Sequence, residues 1–230
     1  LFIADGHHRY QTALNYRDEM LSKLPEEGRR EVSYRMMTLV SMDDPSVTIL
    51  PIHRAVRGAA HFSEERFLRQ LGPFFEVHRL EGKGDDMQPI LNRLREDSSV
   101  TTSFVVCLRG QKFHFIRMKE TASAMETVPG NPHPAVRELD VTILHSLIIE
   151  KMLSLSPEAQ DSAEYIRYFR DPAEAVRIVE KGEAEIAFLL NPTKVHQVRD
   201  VSLAGQVMPH KSTDFYPKLL TGLIMRKLEL

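Results

Sequence analysis

The spacing of apolar residues in the first sixty positions predicts a strand, a tight turn and a helix, followed by a hairpin. Leu1 to Ala4 is a short apolar run, and from His8 apolar or small residues recur at helical spacing up to a break at Pro25–Gly28. Tyr34 to Val40 and Thr48 to Val56 predict two strands, because an Asp-Asp-Pro-Ser turn separates them.

The middle of the chain alternates helical and strand patterns. Ser63 is a candidate N-cap for a helix, although Arg66 stands where a capping box would have Glu or Gln. A second helix is predicted over Met87 to Leu94. The predicted strands are Phe75 to Leu80, Ser103 to Leu108 and Phe113 to Met118, the last two forming a hairpin that turns at Arg109-Gly110-Gln111.

The last third contains the clearest helical pattern, over Leu139 to Leu153, where Asp140 is a candidate cap and the apolar residues form one face. The elements predicted after it are a strand at Tyr165 to Phe169, a helix over Pro172 to Glu180, a strand at Ala184 to Leu190 and a helix from Pro192 toward Leu203. Because strands and helices alternate, we predict a mixed α/β (α+β) fold with a mixed sheet and covering helices.

Composition and charge restrict the class of protein. The 230 residues are 42% hydrophobic and 27% charged, which is the ordinary globular range. Thirty Lys and Arg against 32 Asp and Glu give a net charge of −2, so nucleic acid is an unlikely partner and any phosphate site must be local. Apolar runs are shorter than the ~18 residues that span a bilayer. The single cysteine, Cys107, lies in an apolar run and fits a buried thiol, which together with the absence of internal disulfides suits the cytoplasm.

The opening turn, Asp5-Gly6-His7-His8-Arg9, lies where the first predicted strand passes into the first helix. Free N–H groups at a helix start attract anions, and Gly6 allows close approach of the backbone. His7, His8 and Arg9 add donors and positive charge. Asp5 would repel phosphate, so it suits a metal ligand, a general base or an orienter of a histidine. On the residues alone, an anion cradle and a simple helix cap with exposed histidines carry equal weight.

A second polar group lies between Pro209 and Pro217. Its lysines would supply charge, its hydroxyl groups hydrogen bonds and its tyrosine a stacking or donor group, so the loop could wrap a phosphorylated ligand. A solvated loop held to the core by its aromatic residues is the alternative. The candidate ligands are Lys211, Ser212, Thr213, Tyr216 and Lys218.

The remaining polar candidates are more ambiguous. His53 and Arg54 end an apolar run. They either face the same cleft as the other candidate ligands or have a structural role, in which Arg54 would pair with a carboxylate. Thr193 follows a strand and fits a helix cap first and a ligand second. His145 fits a core or helix-surface histidine, so it is not counted as a site residue. The histidines lack paired ligand spacing for zinc, whereas Mg²⁺ carried in with a nucleotide would need one or two carboxylates, such as Asp5.

Four blocks in the same order resemble the bacterial and archaeal family called domain of unknown function 1015. The blocks are Ala4 to Leu14, Ile49 to Arg54, Leu139 to His145 and Met208 to Leu219. The Gly-x-His-Arg-x-x-x-Ala core of the first block is in turn similar to the phosphate-binding box of the ParB and sulfiredoxin superfamily. This resemblance tips the opening turn toward an anion cradle.

The superfamily resemblance implies that Gly6, His8 and Arg9 contact phosphate, and that Asp5 and His8 match the acidic and histidine pair of its free-serine kinases. The catalytic glutamate of those kinases lies upstream of the box and would fall outside this chain. Sulfiredoxin chemistry is disfavoured because the box contains no cysteine. DNA partition is disfavoured because the chain shows neither a helix-turn-helix pattern nor a basic stripe.

The leading hypothesis is therefore a protein that binds a nucleotide or phosphorylated small molecule and acts as a phosphotransferase. A small-metabolite kinase or phosphatase would use Asp5 as base or metal ligand, His8 and Arg9 on phosphate, and Lys211 to stabilise transferred charge. The alternative is a non-catalytic nucleotide-binding regulatory or scaffold protein. No tightly bound cofactor is expected; ATP, ADP or CTP would bring Mg²⁺.

The chain begins without Met on a strand pattern that would need neighbouring strands. We therefore expect residues 1–230 to be the C-terminal fragment of a larger protein. Within it, a ParB-like mixed α/β part would cover residues 1–120 and a helical part with strands residues 121–230. The sequence does not specify an oligomeric state.

Overall fold

A computed structural model of the protein describes residues 1–59, 62–82, 86–96, 101–119, 128–130, 132–220 and 222–228. The chain divides into two compact units. Unit one comprises Leu1–Thr48 and Phe215–Leu230, and unit two comprises Ile49–Asp214. The expected boundary between residues 120 and 121 lies outside the described residues, so that division stays a prediction.

Unit one contains two helices, α1 (His7–Leu21) and α2 (Glu26–Val32). The predicted first helix is confirmed, but Gly28 does not break the chain, because it lies buried inside α2. The strands predicted at Leu1 to Ala4 and Tyr34 to Val40 are wrong: both runs are exposed and have no regular structure. An apolar run forms a strand only where a neighbouring strand pairs with its backbone, and the described residues offer these two runs none.

Unit two is built on a six-stranded sheet, and the predicted mixed α/β fold is confirmed. The strands are β2 (His53–Val56), β3 (Phe75–Leu80), β4 (Ser103–Leu108), β5 (Lys112–Met118), β6 (Ile166–Phe169) and β7 (Ile186–Leu190). Their order is β3-β5-β4-β7-β2-β6, and every pairing is antiparallel. Two short strands, β1 (Thr48–Leu50) and β8 (Asp214–Tyr216), form a separate two-stranded sheet. Thr48 to Val56 is thus two strands, not one arm of a hairpin.

Helices cover both faces of the six-stranded sheet. The helices of unit two are α3 (Glu64–Leu71), α4 (Gln88–Glu96), α5 (Pro134–Arg137), α6 (Asp140–Ile143), a π-helix (Leu144–Met152), α7 (Pro157–Gln160), α8 (Pro172–Glu180) and α9 (Val195–Leu203). Phe104 and Val106 of β4 belong to the core shared with α3, α6 and the π-helix, while Val105 belongs to the core shared with α4 and α8. Because successive strand residues point to opposite faces, the all-apolar β4 fills both cores.

Local signals account for several confirmed elements. Ser63 caps α3 by accepting a hydrogen bond from the Arg66 N–H, and Asp171 caps α8 by accepting one from the Ala173 N–H. The hairpin of β4 and β5 has the predicted strands. Cys107 is buried in β4, as predicted, and burial raises the pKa of its thiol. Among the described residues, no helix combines the length and apolar character that crossing a bilayer requires.

Two helix starts differ from expectation. Asp140 does not cap the helix predicted over Leu139 to Leu153, because Leu139 is the N-cap and the Asp140 carboxylate accepts a hydrogen bond from the Thr102 hydroxyl at 2.8 Å. Beyond Ile143 this helix continues as the π-helix. The last predicted helix begins at Val195 and not at Pro192, so Thr193 is not its cap.

Asp140→Asn should stabilise the protein at alkaline pH. Burial raises the Asp140 pKa to about 6, although the Thr102 hydrogen bond opposes the rise. The folded state thus favours the protonated carboxyl, whose contribution to stability is complete below about pH 4 and is lost as pH rises through about 6. Asparagine keeps the acceptor without the charge. We expect a gain of about 1–3 kcal/mol in the free energy of unfolding at pH 8 and a smaller gain at pH 4, measured by urea denaturation.

Asp200→Asn is the matched control, because the Asp200 carboxylate is half exposed beside Arg199. It should change the free energy of unfolding by less than about 0.5 kcal/mol at either pH. An Asp140→Asn gain that does not vary with pH would show that the carboxyl is not held protonated by burial.

Candidate functional site

The N-terminus of α1 is open. Gly6 is its N-cap residue and no side chain caps the helix. The first backbone hydrogen bond runs from the Tyr10 N–H to the Gly6 carbonyl at 2.9 Å, so the N–H groups of the first turn precede the helical ladder. Together with the positive end of the helix dipole, these donors form a site that favours an anion.

Asp5 does not cap this helix; its carboxylate faces two cations instead. It lies 3.3 Å from the Arg9 guanidinium and 3.4 Å from the Lys218 ammonium, all within unit one. The reading of the opening turn as a simple Asp cap is therefore wrong. The structure brings together three residues singled out from the sequence, Asp5, Arg9 and Lys218, from opposite ends of the chain.

Gly6 has a specific reason to be glycine. Its φ is 79°, in the left-handed region that a side chain disfavours. A Cβ added there would also lie 3.0 Å from an Nη atom of Arg9. Glycine thus allows both the turn into α1 and the position of the Arg9 guanidinium over that turn.

A pocket of about 600 Å³ lies beside the start of α1, within unit one. Its lining combines cationic, aromatic and apolar side chains, which suits a ligand that carries both an anionic group and a ring. The lining residues are His8, Arg9, Thr12, Ala13, Tyr16, Val32, Tyr34, Arg35, Met36, Arg226 and Leu228. His8 and Arg9 belong to both the opening turn and this pocket.

Several pocket residues were missed from the sequence. Thr12 and Tyr16 follow His8 at intervals of four, so they share its helix face, and this spacing could have been read in advance. The sequence could not have identified Arg226 as a pocket residue, because Arg226 lies almost two hundred positions from Glu31 and Tyr34, which it contacts. Its guanidinium pairs with Glu31 at 2.5 Å and lies 5.8 Å from the centre of the Tyr34 ring.

The segment from Pro209 to Asp214 is held within unit two by side chains from other elements. The Arg54 guanidinium donates to the Lys211 carbonyl at 2.8 Å, and the Thr193 hydroxyl donates to the Ser212 carbonyl at 2.7 Å. The Arg170 guanidinium pairs with Asp214 at 2.5 Å. Lys211 is held at φ 54°, which is unusual for a residue with a side chain. The conformation of this loop is therefore fixed by hydrogen bonds and an ion pair to other elements of unit two.

The sequence candidates on this loop are placed differently. The Ser212 hydroxyl donates to the Pro209 carbonyl at 2.6 Å, so its hydrogen is used within the loop. The Lys211 side chain is exposed, and Thr213 is half-buried. Lys218 and the exposed Tyr216 belong to unit one. The roles of Lys211, Ser212 and Thr213 as phosphate ligands stay predictions.

His53 and Arg54 are both buried in β2. The His53 Nδ1 accepts a hydrogen bond from the Leu190 N–H at 3.2 Å, and burial lowers its pKa to about 4. His53 is therefore neutral at pH 7 and brings no charge to a phosphate. Burial also lowers the pKa of Arg54, to about 10, and its guanidinium bonds to the carbonyls of Ile52 and Lys211. The partners of the Arg54 guanidinium are thus backbone carbonyls and not the carboxylate of the structural alternative, and the role of Arg54 as a phosphate ligand stays a prediction.

The expected magnesium site remains a prediction. Within the described ranges, no group of three or more His, Cys, Asp or Glu side chains is placed to hold a metal ion. Asp5 supplies a carboxylate within the opening turn, and a nucleotide-borne Mg²⁺ would need few protein ligands.

Residues 1–142 match the family described as protein of unknown function (DUF1015). The match covers more than half of this mixed α/β chain, so the protein belongs to that family. A search of curated proteins returns no significant match.

Solved structures show distant similarity. A conserved hypothetical protein from Pyrococcus furiosus has a TM-score of 0.44 and 18% identity, covering 93% of this chain and 68% of its own. A free serine kinase in complex with AMP has a TM-score of 0.43 and 16% identity, covering 93% of this chain and 66% of its own. This chain thus spans about two thirds of the length of these structures.

Gly6→Ala should cost about 1 kcal/mol of stability and displace the Arg9 guanidinium. The cost comes from the left-handed backbone, whereas Arg9 is the exposed end of a flexible side chain and moves easily. Urea denaturation measures the cost, and the Nε resonance of Arg9 by NMR measures the displacement.

Gly222→Ala is the matched control in the same unit, because Gly222 has φ 89° and nothing within 4 Å of an added Cβ. It should cost a similar free energy and leave the Arg9 resonance unchanged. If Gly6→Ala also leaves that resonance unchanged, the contact between Gly6 and Arg9 does not exist in solution.

Proposed function

We propose that the protein binds a nucleotide or a phosphorylated small molecule at the start of α1. The observation that carries the proposal is that His8 and Arg9 stand at an uncapped helix N-terminus and also line the pocket. The phosphate would accept hydrogen bonds from the first-turn N–H groups, and the rest of the ligand would extend into the pocket.

The lining and the volume of the pocket suit a nucleotide. Arg9, Arg35 and Arg226 offer guanidinium groups, which bind phosphate oxygens through paired donors. Tyr16 and Tyr34 offer rings on which a base can stack, and about 600 Å³ is a normal volume for a small-molecule site. The resemblance of the opening turn to the phosphate-binding box of the ParB and sulfiredoxin superfamily supports the same reading.

Phosphotransfer is the activity that we propose for this site. Asp5 would orient or deprotonate the hydroxyl of a small metabolite, while Arg9 and Lys218, both within salt-bridge distance of Asp5, would offset charge on the transferred group. The resemblance of Asp5 and His8 to the acidic and histidine pair of free-serine kinases supports kinase chemistry and makes serine one substrate to test. ATP, ADP or CTP would bring Mg²⁺ with its phosphates.

Arg9→Ala and Arg35→Ala should each weaken nucleotide binding about tenfold, because each removes a charged donor from the pocket. Isothermal titration calorimetry with ATP, ADP and CTP in the presence of Mg²⁺ measures the effect. Circular dichroism of each variant would check that the fold is retained.

Arg17→Ala is the matched control. Arg17 is also on α1, but it pairs with Asp18 at 2.7 Å and does not line the pocket. Its loss should leave the affinity within about twofold of wild type. Equal affinities for all three variants would place the nucleotide somewhere other than this pocket.

Turnover distinguishes the enzyme from the alternative, a nucleotide-binding regulatory or scaffold protein. We expect phosphorus NMR to show transfer from a nucleotide to one member of a panel of small hydroxyl compounds that includes serine. Asp5→Asn should reduce the rate at least about a hundredfold while nucleotide binding persists, because it removes the basic group. Binding without any product over the panel would favour the regulatory protein.

A further inference from the structure

The C-terminal end of unit one forms part of the pocket. Residues 222–228 contain neither helix nor strand, and we call them the C-terminal strap. Arg226 and Leu228 of the strap line the pocket, whose other lining residues come from α1 and from residues 32–36. A ligand in the pocket would therefore contact the strap as well as the start of α1.

The side chain of Arg226 holds the strap in place. Its guanidinium pairs with the Glu31 carboxylate at 2.5 Å, donates to the Tyr34 carbonyl at 3.2 Å and lies 5.8 Å from the centre of the Tyr34 ring. These two hydrogen bonds use two of the five N–H donors that an arginine carries. Arg226 can thus hold the strap and still donate to an anion in the pocket.

The rest of the strap adds little to this attachment. The three apolar side chains before Arg226, those of Leu223, Ile224 and Met225, are 72% to 84% exposed, so they gain little from burial. The ion pair of Arg226 with Glu31 is itself partly exposed, which weakens it. Because ordering the backbone of the strap also costs entropy, the free energy that favours the docked strap is small. A modest new interaction is then enough to shift the balance between docked and released strap.

We propose that docking of the C-terminal strap and binding of the ligand are coupled, with Glu31 as the positioning residue that holds Arg226 at the pocket. This inference rests on the proposed binding of a nucleotide or phosphorylated molecule there. Release of the strap removes one wall and lets the ligand enter. The docked strap places the remaining donors of Arg226 at the pocket, so a bound phosphate favours docking.

The sign of one substitution tests the coupling. Glu31 does not line the pocket, and removing a carboxylate from the neighbourhood of an anion site would by itself strengthen anion binding, since it removes repulsion. Coupling predicts the opposite. In Glu31→Gln fewer molecules have a docked strap, so the affinity for ATP with Mg²⁺ should fall about threefold by calorimetry. Equal or tighter binding would overturn the coupling.

Glu19→Gln is the matched control. Glu19 is also in unit one and also forms an ion pair, with Lys23 at 2.7 Å, but neither residue lines the pocket or belongs to the strap. The affinity of Glu19→Gln for ATP should equal that of the wild type.

Trypsin gives a second readout, because it cleaves after Arg226 and Lys227 and must first take up these side chains. Without ligand, Glu31→Gln should lose the residues that follow these bonds about threefold faster than the wild type or Glu19→Gln, as measured by intact mass. Saturating ATP with Mg²⁺ should slow this cleavage in the wild type. Arg9→Ala at the same ATP concentration should show less protection, which controls for an effect of ATP on the protease.

The results separate this inference from the proposed function. If ATP binds to the wild type but leaves the cleavage rate after Arg226 unchanged, the coupling is wrong and the nucleotide pocket stands. If ATP does not bind at all, the coupling and the nucleotide pocket are both wrong. If Glu31→Gln is cleaved at the wild-type rate without ligand, the ion pair does not hold the strap, and the assignment of Glu31 fails whatever the pocket binds.

Discussion

The constraint on which unit two depends is that its six-stranded sheet excludes water from both faces. β4 and β7 consist almost entirely of buried apolar side chains, so the helices on each face are required and not optional. Few polar side chains are compatible with such a sheet. Among the buried polar side chains of the sheet are His53 and Arg54 in β2, of which His53 is neutral at pH 7 and Arg54 donates to backbone carbonyls.

Unit one follows a different principle. No residue of α1 is buried, and no side chain caps its N-terminus. The backbone N–H groups of its first turn precede the first helical hydrogen bond, which runs from the Tyr10 N–H to the Gly6 carbonyl. Such a helix contributes little to a core, but its first turn is available to a ligand. Packing in a core therefore does not account for the polar residues of the opening turn.

The sequence predicted the parts of the structure whose causes are local. The α8 helix starts at Asp171-Pro172 because a cap and a proline suit its first turn, and the opening turn was found because glycine, histidine and arginine are adjacent. The strands at Leu1 to Ala4 and Tyr34 to Val40 were wrong because pairing is not local. For the same reason Arg226 was missed, and the switch to a π-helix at Leu144 has no pattern that apolar spacing could reveal.

The reactivity of Cys107 can report on the opening of the six-stranded sheet. It is a single thiol in a 230-residue chain, it lies in β4 with strands on either side, and burial keeps it protonated. A thiol reagent can reach it only when the centre of the sheet opens. The rate of its alkylation in the native protein thus counts the openings of unit two, and cysteines introduced on the surface can be labelled long before it reacts.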